Sequence, residues 1–224
     1  MAGLTEKDVC VLIPAYNEAE NIRRVAKAAE DLGFPVLVVD DASTDGTADR
    51  VRDLKAALLI SEVNEGKGAA LRRGFRWVLE RDFKAVILMD ADGQHDPEEL
   101  KNFLLALNES DCDMIIGDRM HRPEKMPAVR RATNLFLSGL ISFMARRRVP
   151  DSQCGYRALR RAVLERVELS TERFETESEM ILEAARRGFR IGSIPIRSVY
   201  EGSASQIHPV RDTLRFFRFL AKRV

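Results

Sequence analysis

Short unbroken runs of apolar residues recur along the first half of the chain, each followed by a polar stretch with helical periodicity. "VCVLIP" (9–14), "PVLVVD" (35–40), "ALLIS" (57–61), "AVILM" (85–89) and "DMIIGD" (113–118) lack apolar–polar alternation. That is the pattern of strands covered on both faces. "EAENIRRVAKAAEDLG" (18–33) reads as a helix ending at a Gly, and "STDGTADRVRDLKAA" as one opening on capping residues. "GKGAALRRGFRWVLERD" (66–82) reads as a Gly-started helix, and "PEELKNFLLALNE" (97–109) as a helix with Pro at its first position. The alternation predicts an α/β fold, a mostly parallel central sheet with helices on both faces.

The second half is less regular. "AVRRATNLFLSGLISFMARRR" (128–148) reads as a helix, apolar in the middle and basic at both ends. "SQCGYRALRRAVLERV" and "FETESEMILEAARRG" read as loop-to-helix segments, "FRIGSIPIRSVY" (189–200) as one or two strands, and "HPVRDTLRFFRFLAKRV" as a final helix.

In parallel sheets, ligands bind in the crevice beyond the carboxyl ends of the strands. Those ends carry Pro14 to Glu18, Asp40 to Ser43, Asp90 to Asp92 and Gly117 to Arg119, so polar and acidic groups converge on one edge. Asp90 and Asp92 stand at the end of a buried strand, and in an extended segment residues two apart point the same way. Such hard oxygen donors suit Mg²⁺ or Mn²⁺, with Gln94 or His95 completing or supporting the shell. A bare acidic pair is more often a solvated turn; the strand before it and the acids at other strand ends favour the metal. Of Asp40 and Asp41, one is expected to cap the following turn and the other to accept a base imide N–H. "NEGKGAALRRG" resembles a phosphate cradle without the spacing of an ATP-binding loop, so Lys67 is either a direct ligand contact or part of a turn starting a helix. No strand runs into GxGxxG, which disfavours dinucleotides.

Composition narrows the class. At 224 residues and 45% hydrophobic, with no linker, repeat or low-complexity stretch, the chain reads as one domain. A net charge of +1 argues against nucleic acid as a partner. Charge is unevenly spread: eight Lys or Arg against Glu124 from Arg119 to Arg148, and five against Asp212 from Val210 to Val224. Three scattered cysteines without CxxC spacing predict reduced thiols, no structural zinc and a cytoplasmic setting. No apolar run reaches the roughly 20 residues of a membrane span, so at most the chain lies on a membrane surface. In the last segment Arg211, Arg215, Arg218 and Lys222 form a basic stripe beside Val210, Leu214, Phe217 and Ala221. That pattern fits an interfacial helix or one docked on the core.

Taken together, "VLIPAYNEAENI", "VVDDASTDGT", "EGKGAALRRGF", "MDADGQHDPEEL", "IIGDR", "DSQCGYRAL" and "FETESEMILEAARRG" resemble family 2 glycosyltransferases. Within that family the motifs look like those of dolichol-phosphate mannose synthases and bacterial polyprenyl-phosphate glycosyltransferases. The resemblance implies a GT-A fold, a nucleotide-sugar donor (GDP-mannose or a UDP-hexose), inversion at the anomeric carbon and a polyprenyl-phosphate acceptor at the cytoplasmic face of a membrane. It implies that Pro14, Tyr16, Glu18, Val39 and Asp41 hold the nucleoside, with Lys67, Asp90 and Ala91 also on the donor. Asp90, Asp92 and Gln94 would hold the metal, and Arg119 would face the departing phosphates. Residues 1–119 would then bind donor and metal, and 120–224 the acceptor. Asp151 matches an Asp considered as a base in some relatives, and is favoured over Glu177 for that role. A phosphate acceptor needs no base, in which case Asp151 would only position it. Where relatives often carry a Lys before the last helix, this chain has Gln206. Other readings are a hydroxyl acceptor, a non-catalytic nucleotide-sugar binder, and a nucleotidyltransferase; the last would place a Gly-rich loop where this chain has "PAYNE".

Overall fold

The computed structural model describes residues 3–121, 126–171 and 175–197. Seven strands form one sheet: β1 (Val9–Ala15), β2 (Val36–Asp40), β3 (Ala57–Ile60), β4 (Ala85–Leu88), β5 (Met114–Asp118), β6 (Arg157–Arg160) and β7 (Ile191–Pro195). Their order is β3-β2-β1-β4-β6-β5-β7. All pairings are parallel except those of β6, which runs antiparallel between β4 and β5. The apolar runs explain this: β1, β2, β4 and β5 are almost wholly buried, as strands covered on both faces must be.

Helix α1 (Ile22–Asp31) connects β1 to β2, and α2 (Lys67–Leu79) connects β3 back past β1 to β4. Right-handed crossovers in opposite directions put these helices on opposite faces of the sheet. The chain reverses direction between β1 and β4, so the crevice expected to take a ligand opens beyond Ala15 and Leu88. Helices α3 (Glu99–Glu109), α4 (Ala128–Ala145), α5 (Arg161–Arg166) and α6 (Glu175–Arg186) complete the described fold. The expected final helix, with Gln206, lies outside the described residues, as does the end of the 189–200 segment.

Two expectations differ from the structure. Residues 43–57 do not form a helix; only a 3₁₀ turn, Ala48–Val51, is present. The segment has little apolar surface to dock, Val51 being its one buried turn residue, and a short helix without such a face is unstable in water. Its capping side chains serve another loop instead. Ser43 Oγ accepts from Asn17 N at 2.8 Å, Thr47 Oγ1 from Glu18 N at 2.8 Å and Asp45 from Ala19 N at 3.0 Å.

The second difference is β6, in a stretch expected to run from loop to helix. Its sequence, Arg-Ala-Leu-Arg, hides a strand because both arginines turn inward to backbone carbonyls. Arg157 is fully buried and donates to the carbonyls of Cys154 at 2.7 Å, Ser152 at 2.8 Å and Glu177 at 2.6 Å. Arg160 does the same for Cys112 at 2.9 Å and Ser110 at 3.1 Å. Arg157 therefore ties β6 and the loop before it to α6.

Replacing Arg157 by Met would leave three inward carbonyls without their donor, at about 1–3 kcal/mol for each group that stays unsatisfied. The expected net loss in urea unfolding is about 2–4 kcal/mol, less than the sum because the buried charge leaves as well. An unchanged midpoint would mean the carbonyls find other partners.

Candidate active site

The site begins where β1 ends. Pro14 pairs in register with Val39 of β2, and Asp41 N donates to Ala15 O at 2.9 Å. Beyond Ala15, Tyr16 is exposed and Asn17 takes a left-handed conformation with φ 55°. Bonds from residues 43–47 secure this loop, and Asn17 returns one by accepting from Thr44 N at 2.9 Å. The two acids of "VVDD" divide their work. Asp40 accepts from Ser43 N at 2.9 Å, closing the turn. Asp41 accepts from Gly66 N at 2.6 Å and Glu65 N at 3.2 Å, so it carries the loop that starts α2. Burial lifts the Asp41 carboxyl above its ordinary value, with the Gly66 N–H and Arg73 pulling the other way.

Asp90, Ala91 and Asp92 follow β4, but the strand ends at Leu88 and the acids stand on a turn rather than an extended segment. Gly93 closes that turn with φ 73°. A Cβ there would also strike Arg24 of α1 at 2.1 Å. Both acids still act on one place: their charges, together with that of Asp45, add to burial in raising the Glu18 carboxyl, against a hydrogen bond from Asn21. Asp92 accepts from Gln94 N at 3.0 Å and has no ion-pair partner among the described residues. Ala91 is buried between the two.

Lys67, the first residue of α2, reaches into this acid cluster. Its Nζ lies 2.6 Å from Asp90 Oδ1 and 2.6 Å from Glu177 Oε1 of α6. Burial opposes charge on both Asp90 and Lys67, but their mutual attraction outweighs it. Asp90 is held below the ordinary carboxylate value, and Lys67, with Glu177 adding its share, is held above the ordinary ammonium value. His95 supports the turn from beneath: its Nδ1 accepts from Asp90 N at 3.2 Å, and its ring stacks on Tyr156 at 4.6 Å. Burial lowers His95's affinity for a second proton despite Asp90 and Asp92 nearby, so the neutral ring is favoured.

Arg119, after β5, forms a fork with Asp151. Nε donates to Oδ2 at 2.7 Å and Nη2 to Oδ1 at 3.0 Å, with both residues buried. Burial raises the Asp90 carboxyl, and Arg119 is near enough to join Lys67 and His95, whose effects are larger, in lowering it. Asp151 thus sits beside the site with both oxygens engaged.

Glycine spacing makes this convergence possible. A Cβ on Gly155 would lie 2.3 Å from Asp90 Oδ2, and one on Gly68 would lie 2.0 Å from Thr171 O. The backbone at Thr171 is fixed by Glu179, which accepts from Ser170 N at 3.0 Å and Thr171 N at 2.8 Å. The sequence motifs contained Gly155, Gly68, His95 and Glu179, but nothing in their spacing revealed these contacts. Of the residues that build the site, Glu177 was singled out as a base candidate and His95 as support for the metal shell; their partners were not.

Asp90 and Asp92 fit a divalent cation. Two hard carboxylates bear on one place, and one of them already carries a cation. No group of three metal-ligating side chains is present among the described residues. Mg²⁺ and Mn²⁺ do not require one, since they retain waters and bind substrate phosphates beside one or two carboxylates. Gln94 adjoins through its backbone bond to Asp92.

The model of Glycosyl transferase family 2 matches residues 10–168. The chain belongs to this family. It is 34% identical to an undecaprenyl-phosphate mannosyltransferase of Micrococcus luteus, over 85% of this chain and 83% of that protein. It is 27% identical to a UDP-N-acetylglucosamine–dolichyl-phosphate N-acetylglucosaminyltransferase of Methanococcus voltae, over 88% of each. Its fold matches glucosyl-3-phosphoglycerate synthase of Mycobacterium tuberculosis, crystallised with Mn²⁺, UDP-glucose and phosphoglyceric acid. The TM-score there is 0.71 at 18% identity, over 97% of this chain and 81% of that one. The architecture of this family 2 glycosyltransferase is therefore GT-A.

Gly155→Ala should push Asp90 from its position and lower the transferase rate about a hundredfold, the scale of a misplacement near 1 Å. Gly139→Ala, where a Cβ meets nothing within 4 Å, should leave the rate unchanged and serves as the control. Equal rates in the two variants would show that Asp90 tolerates the shift.

The Lys67–Asp90 pair also sets a pH dependence. The lowered carboxyl stabilises the fold above its ordinary 3.8 and loses that contribution as the pH falls through its folded value. The raised ammonium contributes fully below 10.5 and loses its share only as the pH rises through its own folded value. Measured in chelator, the Tm gap between wild type and Lys67→Met should be widest from neutrality to about pH 9 and should close in the carboxylate range. A gap that widens with acid would contradict this sign.

Proposed function

We propose that this glycosyltransferase moves a hexose, with inversion, from a nucleotide-sugar to a polyprenyl phosphate, using Mg²⁺ or Mn²⁺ held by Asp90 and Asp92. The observation that carries the acceptor class is the Arg119–Asp151 fork. A hydroxyl acceptor needs a base to remove its proton, and a carboxylate with both oxygens on a buried guanidinium is poorly suited to that. A phosphate is already anionic near neutral pH. Its oxygen attacks the anomeric carbon, the bond to the diphosphate breaks on the opposite face, and no proton has to leave.

In this reading Pro14, Tyr16, Glu18, Val39 and Asp41 line the nucleoside pocket at the ends of β1 and β2. Asp151 aims Arg119, whose charge stabilises the departing diphosphate where preorganised electrostatics is most effective. Bound at Asp90 and Asp92, the divalent ion would supply Lewis-acid charge to the same oxygens. Lys67 and Ala91 complete the donor side. Both relatives above are named for transfer to a lipid phosphate but for different sugars, which supports the acceptor class more than any one hexose.

The surface of α4 supports a lipid setting. Val129, Phe136 and Phe143, seven residues apart, are 81%, 62% and 81% exposed, while the buried face carries Asn134, Ser138, Ile141 and Ala145. A helix docked for water alone has the opposite arrangement. Arg146, Arg147 and Arg148 are exposed just beyond it, suited to anionic headgroups. Among the described residues no helix is long and apolar enough to cross a membrane. The exposed apolar stripe and the arginines are the features that support contact at the cytoplasmic surface.

The test is nucleoside diphosphate release from a panel of UDP- and GDP-sugars with Mn²⁺ or Mg²⁺, with and without a short polyprenyl phosphate. Release should require lipid and metal, and Asp92→Ala should lower it by about a thousandfold. Release indifferent to lipid would overturn the acceptor in favour of a hydroxyl or water. Failure of every donor to bind with metal would overturn the reading as a whole.

A further inference from the structure

Lys67 holds an unusual place, with its ammonium 2.6 Å from Asp90, a carboxylate argued above to be a metal ligand. A divalent ion and an ammonium cannot both sit on one carboxylate without strong repulsion. The backbone offers little room for retreat. Lys67 follows Gly66, whose N–H is held by Asp41, and precedes Gly68, whose Cα lies tight against Thr171. The side chain, however, has a second seat. Glu177 Oε1 already lies 2.6 Å from Nζ, and Glu177 Oε2 is buried without a hydrogen-bond partner. Glu177 itself is anchored, because its carbonyl accepts from Arg157 at 2.6 Å. An ammonium has three donors, so both oxygens of Glu177 could receive it once Asp90 is taken.

We propose that Lys67 is a resident counter-cation that competes with the divalent ion for Asp90 and swings fully onto Glu177 when the ion binds. This rests on Asp90 and Asp92 being the metal site. Metal binding then includes the displacement of a bound lysine, so the isolated protein holds its metal weakly. Glu177, on the acceptor-side helix α6, sets how readily that displacement occurs. Lys67 and Glu177 are in this sense positioning residues for the donor site.

The test measures Mn²⁺ affinity of the donor-free protein by electron paramagnetic resonance of free Mn²⁺, with no turnover involved. Lys67→Met should tighten Mn²⁺ about tenfold or more, whereas Lys67→Arg, which keeps the charge, should stay within about threefold of wild type. Glu177→Gln removes the second seat and should weaken Mn²⁺ by about threefold or more. The decisive comparison is the double variant Lys67→Met/Glu177→Gln. If Glu177 acts through Lys67, the double variant should match Lys67→Met; if Glu177 acts only through its own charge, the same weakening should recur there, which overturns the proposal. The double variant removes one charge of each sign, and circular dichroism melts identify the temperature at which all variants are folded. Asp92→Ala separates the two levels of argument. Loss of Mn²⁺ in Asp92→Ala with no gain in Lys67→Met refutes the counter-cation alone, whereas Mn²⁺ binding unaffected by Asp92→Ala refutes the metal site beneath it.

Discussion

The rest of this site depends on keeping several carboxylates at one sheet edge without letting them discharge. Glu18, Asp41, Asp90, Asp92, Asp151 and Glu177 come from five different segments and gather at the sheet edge beyond β1 and β4. Like charges brought together in a partly buried place would take up protons unless something offsets them. The protein meets the problem differently at each acid. Asp41 takes backbone N–H groups, Asp151 takes a guanidinium, and Asp90 and Glu177 share an ammonium. Glu18 has only the Asn21 amide, and burial, with the charges of Asp92, Asp45 and Asp90, raises its carboxyl.

These offsets also tie the halves of the chain together. Lys67 at the start of α2 belongs to the part that reads as donor-binding, and Glu177 to the part that reads as acceptor-binding. Thr171 packs on Gly68, and Gly155 on Asp90. A change in any of these contacts moves a charged group of the opposite half. Division into donor and acceptor parts therefore describes the order of the sequence better than it describes the mechanics of the site.

How much of this was legible in the sequence follows from what each signal rests on. Unbroken apolar runs located β1, β2, β4 and β5 because burial on both faces leaves a mark in every residue of a strand, and they located β3 as well, although that edge strand is only half-buried. They also located the sheet edge on which the acids converge. The same reasoning missed β6, where Arg157 and Arg160 look solvent-facing until their carbonyl partners are known, and those partners are distant in sequence. It misread residues 43–57 because Ser43, Asp45 and Thr47 are capping residues in either setting; which backbone they cap is a tertiary fact. At Asp90 and Asp92 the shared direction was expected from an extended strand, but a turn closed by Gly93 supplies it.

The role of Asp151 shows the same limit in sharper form. Its place in "DSQCGYR" suits a base equally well as a positioning residue, since both require an Asp at that point. What separates the two is whether the carboxylate has a free oxygen, and that depends on Arg119, 32 positions earlier. Once the fork is formed, proton abstraction would require breaking a buried charge pair, which is far more costly than holding an arginine in place. The chemistry most consistent with such a site is one in which the acceptor arrives already charged. An anionic acceptor beside an anionic donor makes a fixed cation more valuable still, and Arg119, immobilised by Asp151 and within the field of Asp90, has the setting for the role proposed for it at the departing diphosphate.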